Sequence, residues 1–82
     1  MITRIVKMKF KAEHVNDFIA LFHSSAPVIR TFDGCLHVEL ISDIHHPQIM
    51  CTLSKWTSEE SLNHYRNSSF FLKTWTETKK LF

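Results

Sequence analysis

From Val6 the chain alternates strictly. Val6, Met8 and Phe10 are apolar, and Lys7, Lys9 and Lys11 between them are basic. A period of two predicts a strand over residues 2–10 with one apolar face. Over residues 13–32 the period changes. Val15, Phe18, Ile19, Phe22, Ala26 and Ile29 recur at helical spacing and make one apolar stripe. Pro27 removes a backbone donor inside that stripe, so a kink or restart is expected near Ser24–Pro27. Asp33-Gly34 ends the segment as a turn.

Period two returns at residues 35–42. Leu36, Val38 and Leu40 share one face of the predicted strand, and Cys35, His37, Glu39 and Ile41 the other. Asp43 to Pro47 is a loop by composition, and residues 48–56 form a third strand. So short a connection implies an antiparallel hairpin. Thr57 followed by Glu60 reads as a capping box that starts a helix directly after Trp56. Leu62 and Tyr65 face inward at i, i+3. Asn67-Ser68-Ser69 is a second break with a capping serine, and a last helix carries Phe71, Trp75 and Thr78 or Lys79 in register. The order is β-α-β-β-α, an α+β domain over residues 1–82 with helices on one face of an antiparallel sheet. The nearest named topology is ferredoxin-like, β-α-β-β-α-β, with its final strand not present in this chain.

Composition narrows the function classes. A chain of 82 residues buries only ~60–65% of its unfolded surface, so association with a second copy adds to a small core. The net charge of +2 comes from scattered basic residues, and the Lys7/Lys9/Lys11 row is too small for a nucleic-acid footprint. No run approaches the ~20 apolar residues of a membrane span, and the N-terminus lacks the apolar core of a signal peptide. Cys35 and Cys51 do not make a disulfide scaffold. A cytoplasmic protein with reduced thiols is the expectation.

Three groups of residues bear on chemistry. Thr52, Ser54 and Trp56 share a face of the third strand; beneath the helices they would combine space, hydroxyls and an indole, as an apolar ligand pocket requires. Periodicity alone slightly favours the alternative, that Thr52 and Ser54 face solvent while Ile49, Cys51 and Leu53 form the core. Cys35, His37 and Glu39, with Cys51 on the partner strand, are metal-ligand types. Side chains two apart on a strand lie ~6.5–7 Å apart, which does not bring them onto one ion, so no metal site is expected. A polar sheet face packing on another subunit fits better, with Lys7 or Lys9 pairing with Glu39. Tyr65, Phe71 and Trp75 at helical spacing read as core before they read as pocket wall. The single glycine excludes a Gly-rich phosphate loop.

Ile2-Thr3-Arg4, Phe32-Asp33-Gly34-Cys35-Leu36-His37 and the run Trp56-x-Ser58-x-Glu60-x-Leu62-x-x-Tyr65-x-x-Ser68-x-x-Phe71 resemble the antibiotic biosynthesis monooxygenase (ABM) family over nearly the whole chain. The resemblance implies a ferredoxin-like domain that dimerises through its sheet into a shared α/β barrel. It implies a pocket between sheet and helices, lined here by Thr52, Ser54, Trp56, Tyr65, Phe71 and Trp75, for an aromatic or quinol-like molecule. In the family's oxygenases such a substrate is deprotonated and reacts with oxygen itself, so no cofactor is implied. His37 is the candidate base, histidine being the residue type best suited to proton transfer in a near-neutral site. Other members degrade haem, and others bind without known chemistry, which keeps a non-catalytic binding or stress-response module as the alternative. The family's polyketide oxygenases carry an Asn four residues before the strand-end Trp, where this chain has Thr52. They place an Arg in the last helix region, where it has Trp75, Thr76 and Thr78. The haem-degrading branch uses Asn, Trp and His where Val6, Tyr65 and Trp75 stand, which speaks against haem degradation.

Overall fold

The computed structural model describes residues 1–82. Three strands, β1 (Ile2–Lys9), β2 (Cys35–Ser42) and β3 (Ile49–Trp56), form one antiparallel sheet in the order β1-β3-β2. The helices α1 (Val15–Ile29), α2 (Glu59–Arg66) and α3 (Ser69–Lys79) pack on one face of it. A single 3-10 turn, Ala12–His14, leads into α1. β1 stops at Lys9, so Lys11 lies outside the basic row.

The registers fix what shares a face. Across β1, β3 and β2 run the rows Ile2–Trp56–Cys35, Arg4–Ser54–Val38 and Val6–Thr52–Leu40. These point toward the helices. Met50, Ser54 and Trp56 are buried, so the inner face of β3 is the one that carries its small hydroxyls. Ile49, Cys51 and Leu53 belong to the outer face, where Lys9, Lys7 and Ile5 stand beside them.

Strict alternation fails in one place. The β2–β3 register shifts between Cys35 and His37. The extra residue of this bulge is Leu36, which is 55% exposed, while Cys35 turns in to pack against the core. Leu36 therefore does not join Val38 and Leu40, and Cys35 does not join His37 and Glu39. A bulge restarts the period-two count, which alternation alone does not reveal.

α1 continues through Pro27 without a restart. Pro27 and His23, whose carbonyl loses its donor, are both exposed, so the lost bond falls on the solvent side of the helix, where it costs least. Bonding resumes with Arg30 N donating to Ala26 O at 3.0 Å. The stripe behaves as its spacing predicts: Phe18, Phe22, Ala26 and Ile29 are buried, and Phe18 stacks on Phe10 with centroids 4.3 Å apart.

The helix after β3 starts one residue later than the capping-box reading placed it. Ser58 is the N-cap, and its Oγ accepts from Ser61 N at 3.2 Å. Thr57 instead ties the strand end to the turn before β2, its N–H donating to Gly34 O at 2.9 Å. Gly34 has φ +83°, and a Cβ there would sit 2.7 Å from Thr57 Oγ1 and against the Ser61 side chain. Glycine is required for both reasons. At the second break, Ser68 Oγ accepts from Phe71 N at 3.1 Å and donates to Tyr65 O at 2.6 Å. That one side chain joins the end of α2 to the start of α3, setting Tyr65 and Phe71 at a fixed angle.

Candidate functional site

The inner sheet face and the helices do not close completely over each other. Between them lies a mostly apolar cavity of about 70 Å³ that opens to solvent. All six residues expected in a pocket, Thr52, Ser54, Trp56, Tyr65, Phe71 and Trp75, line it. β3 supplies the first three at a spacing of two. α2 supplies Tyr65, and α3 supplies Phe71 and Trp75 at i, i+4, one above the other on a helix face.

The aromatic rings form a connected wall. Trp56 is completely buried, and Tyr65 stacks on it with centroids 5.0 Å apart and planes 23° apart. Phe71 meets Tyr65 edge-on at 5.1 Å. Trp75 lies nearly parallel to Phe71, at 10°, with centroids 6.3 Å apart. The indole N–H of Trp56 donates to Ser54 Oγ at 3.0 Å, so the donor is held by the protein and the indole plane is locked.

The polar groups are few. Thr78 Oγ1 is occupied by Thr74 O at 2.8 Å. Thr52 and Thr74 both reach the cavity, and neither hydroxyl has a hydrogen-bond partner in the protein. Arg4 and Tyr65 are the two ionisable residues of the lining. Burial pushes the Tyr65 phenol up to about 12, partly offset by the Arg4 charge and raised further by Cys35. It is a neutral hydroxyl at physiological pH. Burial also lowers the pKa of Arg4.

Arg4, Ser25, Thr74 and Thr78 were not anticipated in the site. Arg4 was legible: it has the same parity as Val6 and Met8, so the β1 alternation carries it to the inner face. Ser25 is screened by the larger residues of the α1 stripe, and Thr74, three residues after Phe71 and four before Thr78, shares their helix face but is polar and so drops out of an apolar stripe.

His37, expected as the base, is not brought to the cavity. It stands on the outer sheet face, half-exposed, with Nε2 3.3 Å from Glu39 Oε1. A base must come within hydrogen-bond reach of the proton it removes, and the sheet separates His37 from this cavity. Within the chain, Glu39 therefore has His37 beside it and neither Lys7 nor Lys9, which leaves only a pairing across a subunit interface for those lysines. The cross-strand neighbour of Glu39 is Leu53, followed by Ile5, which leaves no lysine beside it. Cys35 on the inner side is separated from His37, Glu39 and Cys51 on the outer, and no three His, Cys, Asp or Glu side chains converge on a common point.

The architecture is shared with solved proteins. A conserved protein of Methanosarcina mazei superposes with a TM-score of 0.91 at 23% identity, covering 96% of this chain and 78% of its own. The "putative antibiotic biosynthesis monooxygenase" of Deinococcus radiodurans gives 0.92 at 20%, covering 99% and 80%. A conserved protein of unknown function from Bacteroides thetaiotaomicron gives 0.89 at 11%, covering 96% and 84%. At these identities the likeness is one of fold. No curated protein matches the sequence. The sequence profile of the Antibiotic biosynthesis monooxygenase family matches residues 1–76. The chain belongs to the antibiotic biosynthesis monooxygenase family.

Proposed function

We propose that this protein is a cofactor-independent monooxygenase acting on a flat aromatic or quinol-like small molecule held between the inner sheet face and the helices. The observation that carries the reading is the convergence of Trp56, Tyr65, Phe71 and Trp75 with the free hydroxyls of Thr52 and Thr74 around one cavity. Aromatic walls favour a planar ligand through stacked and edge-on contacts. A few placed hydroxyls orient it. For an anthrone-type substrate the balanced change is simple. The methylene carbon loses two hydrogens and takes one atom of molecular oxygen as a carbonyl, and the second oxygen atom leaves with those hydrogens as water. The residues bind and orient the substrate and shield it from bulk solvent. Its own acidity supplies the electron-rich anion.

A homodimer formed through the outer sheet face belongs to the same proposal. That face exposes Ile5 (63%) and Ile41 (43%), with Leu53 and Cys51 between them in the sheet. A second copy laid on it would bury an apolar strip rimmed by Lys7, Lys55 and the His37–Glu39 pair. No helix is long and apolar enough to cross a membrane. Two unpaired cysteines suit a reducing cytoplasm.

One observation favours a second reading, a non-catalytic binding module: no lining residue titrates near neutrality, so the cavity offers no general base. Oxygen uptake with anthrone and with naphthohydroquinone, in buffer containing chelator, separates the two. Protein-dependent uptake that falls at least tenfold in Trp75→Ala supports the enzyme. Binding of either compound without uptake above the buffer rate leaves the binding module.

A further inference from the structure

Arg4 is the one charged side chain in the lining of an otherwise apolar cavity. It sits on the inner face of β1, in the row Arg4–Ser54–Val38 beside the serine that holds the Trp56 indole. Its guanidinium carbon lies 5.6 Å from the centroid of the Phe71 ring, close enough for a cation–π contact that steadies the fork without using its donors in the ring plane. No carboxylate lies within 4.0 Å of it, since the ion pairs of the chain are His14–Asp17, His37–Glu39 and Lys80–Glu77. No hydrogen bond from its side chain to any protein atom is made. The cavity lining contains no acidic residue to balance it.

A partly buried guanidinium ordinarily has a carboxylate, because removing the charge from water without a counter-charge is unfavourable. Here burial already works against the charge. Its five N–H donors, held in fixed geometry beside a slot with aromatic walls and still reached by solvent, receive nothing from the protein. A ligand that is both flat and anionic satisfies both features together: its rings meet Phe71, Trp75 and Tyr65, and its charged oxygen accepts from the guanidinium, planar group to planar group. A neutral ligand would leave the Arg4 donors unmet as it displaces their water.

We propose that Arg4 is a specificity-determining residue that selects aromatic anions, meaning aromatic carboxylates or phenols and enols in their ionised form, by pairing with the charged oxygen in the cavity. This rests on the reading that the cavity holds a flat aromatic molecule. For a ligand that ionises within the accessible pH range, the same contact lowers the ligand's pKa on binding, because the bound anion gains a partner that the neutral form lacks.

The test is calorimetric titration of the whole protein with naphthoate and with naphthamide, which share ring and shape and differ in charge. The proposal expects naphthoate to bind about ten- to a hundredfold more tightly, the range for a hydrogen bond to a charged group. Arg4→Gln should bring the two affinities together, and Arg4→Lys should restore part of the preference. A thermal melt of each variant confirms that it is folded. A role for Arg4 in folding alone would lower both affinities equally and leave their ratio unchanged, and that result overturns the proposal, as does equal binding of the two probes by the parent. Binding of neither probe overturns the aromatic-ligand reading itself, and the inference with it.

Discussion

Trp56 donates its indole N–H to Ser54 Oγ at 3.0 Å, two residues back on the same strand face. Both side chains are buried, so the largest ring of the core has its polar edge satisfied from within β3. That leaves its face for Tyr65 on one side and the cavity beside it. Ser54→Ala removes the acceptor and strands a buried donor, which costs about 1–3 kcal/mol. For a domain of this size the midpoint of thermal unfolding should fall by at least about 4 °C. An unchanged midpoint would show that water replaces the serine and that the indole is not fixed by it.

Tyr65 is the only tyrosine, so a phenolate absorbance titration reads it alone. Burial, partly offset by Arg4 and reinforced by Cys35, holds its pKa at about 12 in the folded protein, against 10.0 for the free group. The folded value is raised, so the associated stability is present in full below pH 10. It is lost as pH rises from 10 toward 12, where the unfolded chain ionises and the folded one does not. The native titration should have its midpoint near 12 and the denatured one near 10, and stability in Tyr65→Phe should fall less steeply across that window. A native midpoint at 10 would place the hydroxyl in water, outside the cavity wall.

Gly34→Ala tests the turn that joins α1 to β2. The φ of +83° alone disfavours any L side chain by about 1–2 kcal/mol, and the new Cβ must also displace the Thr57 and Ser61 side chains. A fall in the unfolding midpoint of about 8 °C or more is expected. Asp33→Ala, at the exposed neighbour, should stay within about 0.5 kcal/mol of the parent. Equal effects at the two positions would contradict the steric account.

Ser58 and Ser68 cap α2 and α3, and each substitution to alanine should cost about 1 kcal/mol in chemical denaturation. Ser68→Ala should be the more damaging of the two, since its Oγ also donates to Tyr65 O. If Thr57→Ala costs as much as Ser58→Ala, the cap lies one residue earlier than its hydrogen bond indicates.

The cap position is one instance of how far the residues alone can be read. Alternation and helical spacing placed every strand and helix, because one buried face per element is imposed by the core. Parity ties Thr52 and Ser54 to Trp56 and helical spacing ties Phe71 to Trp75, but that these groups line a cavity and not a solid core was implied only by the family resemblance. Parity could not see the bulge at Leu36, where one unpaired residue restarts the count. Nor could a local motif separate Thr57 from Ser58 as cap, since both hydroxyls stand at the strand end and only the backbone direction decides between them. His37 was misleading for a different reason. Its chemistry suits a base, but function depends on which side of the sheet a side chain stands, and β2 turns it away from the cavity. Arg4 was overlooked although its parity was plain, because a charged residue on an apolar strand face is easily assigned to the edge.

On the proposed function, a flat aromatic molecule lies in the cavity between β3 and α3. NMR chemical-shift mapping with naphthohydroquinone under argon tests it without requiring turnover. The account predicts saturable shifts concentrated at Thr52, Ser54, the Trp56 indole N–H, Thr74 and Trp75, with the outer-face residues Lys7, His37 and Glu39 unmoved. Shifts confined to the outer face, or none at saturating ligand, would contradict it.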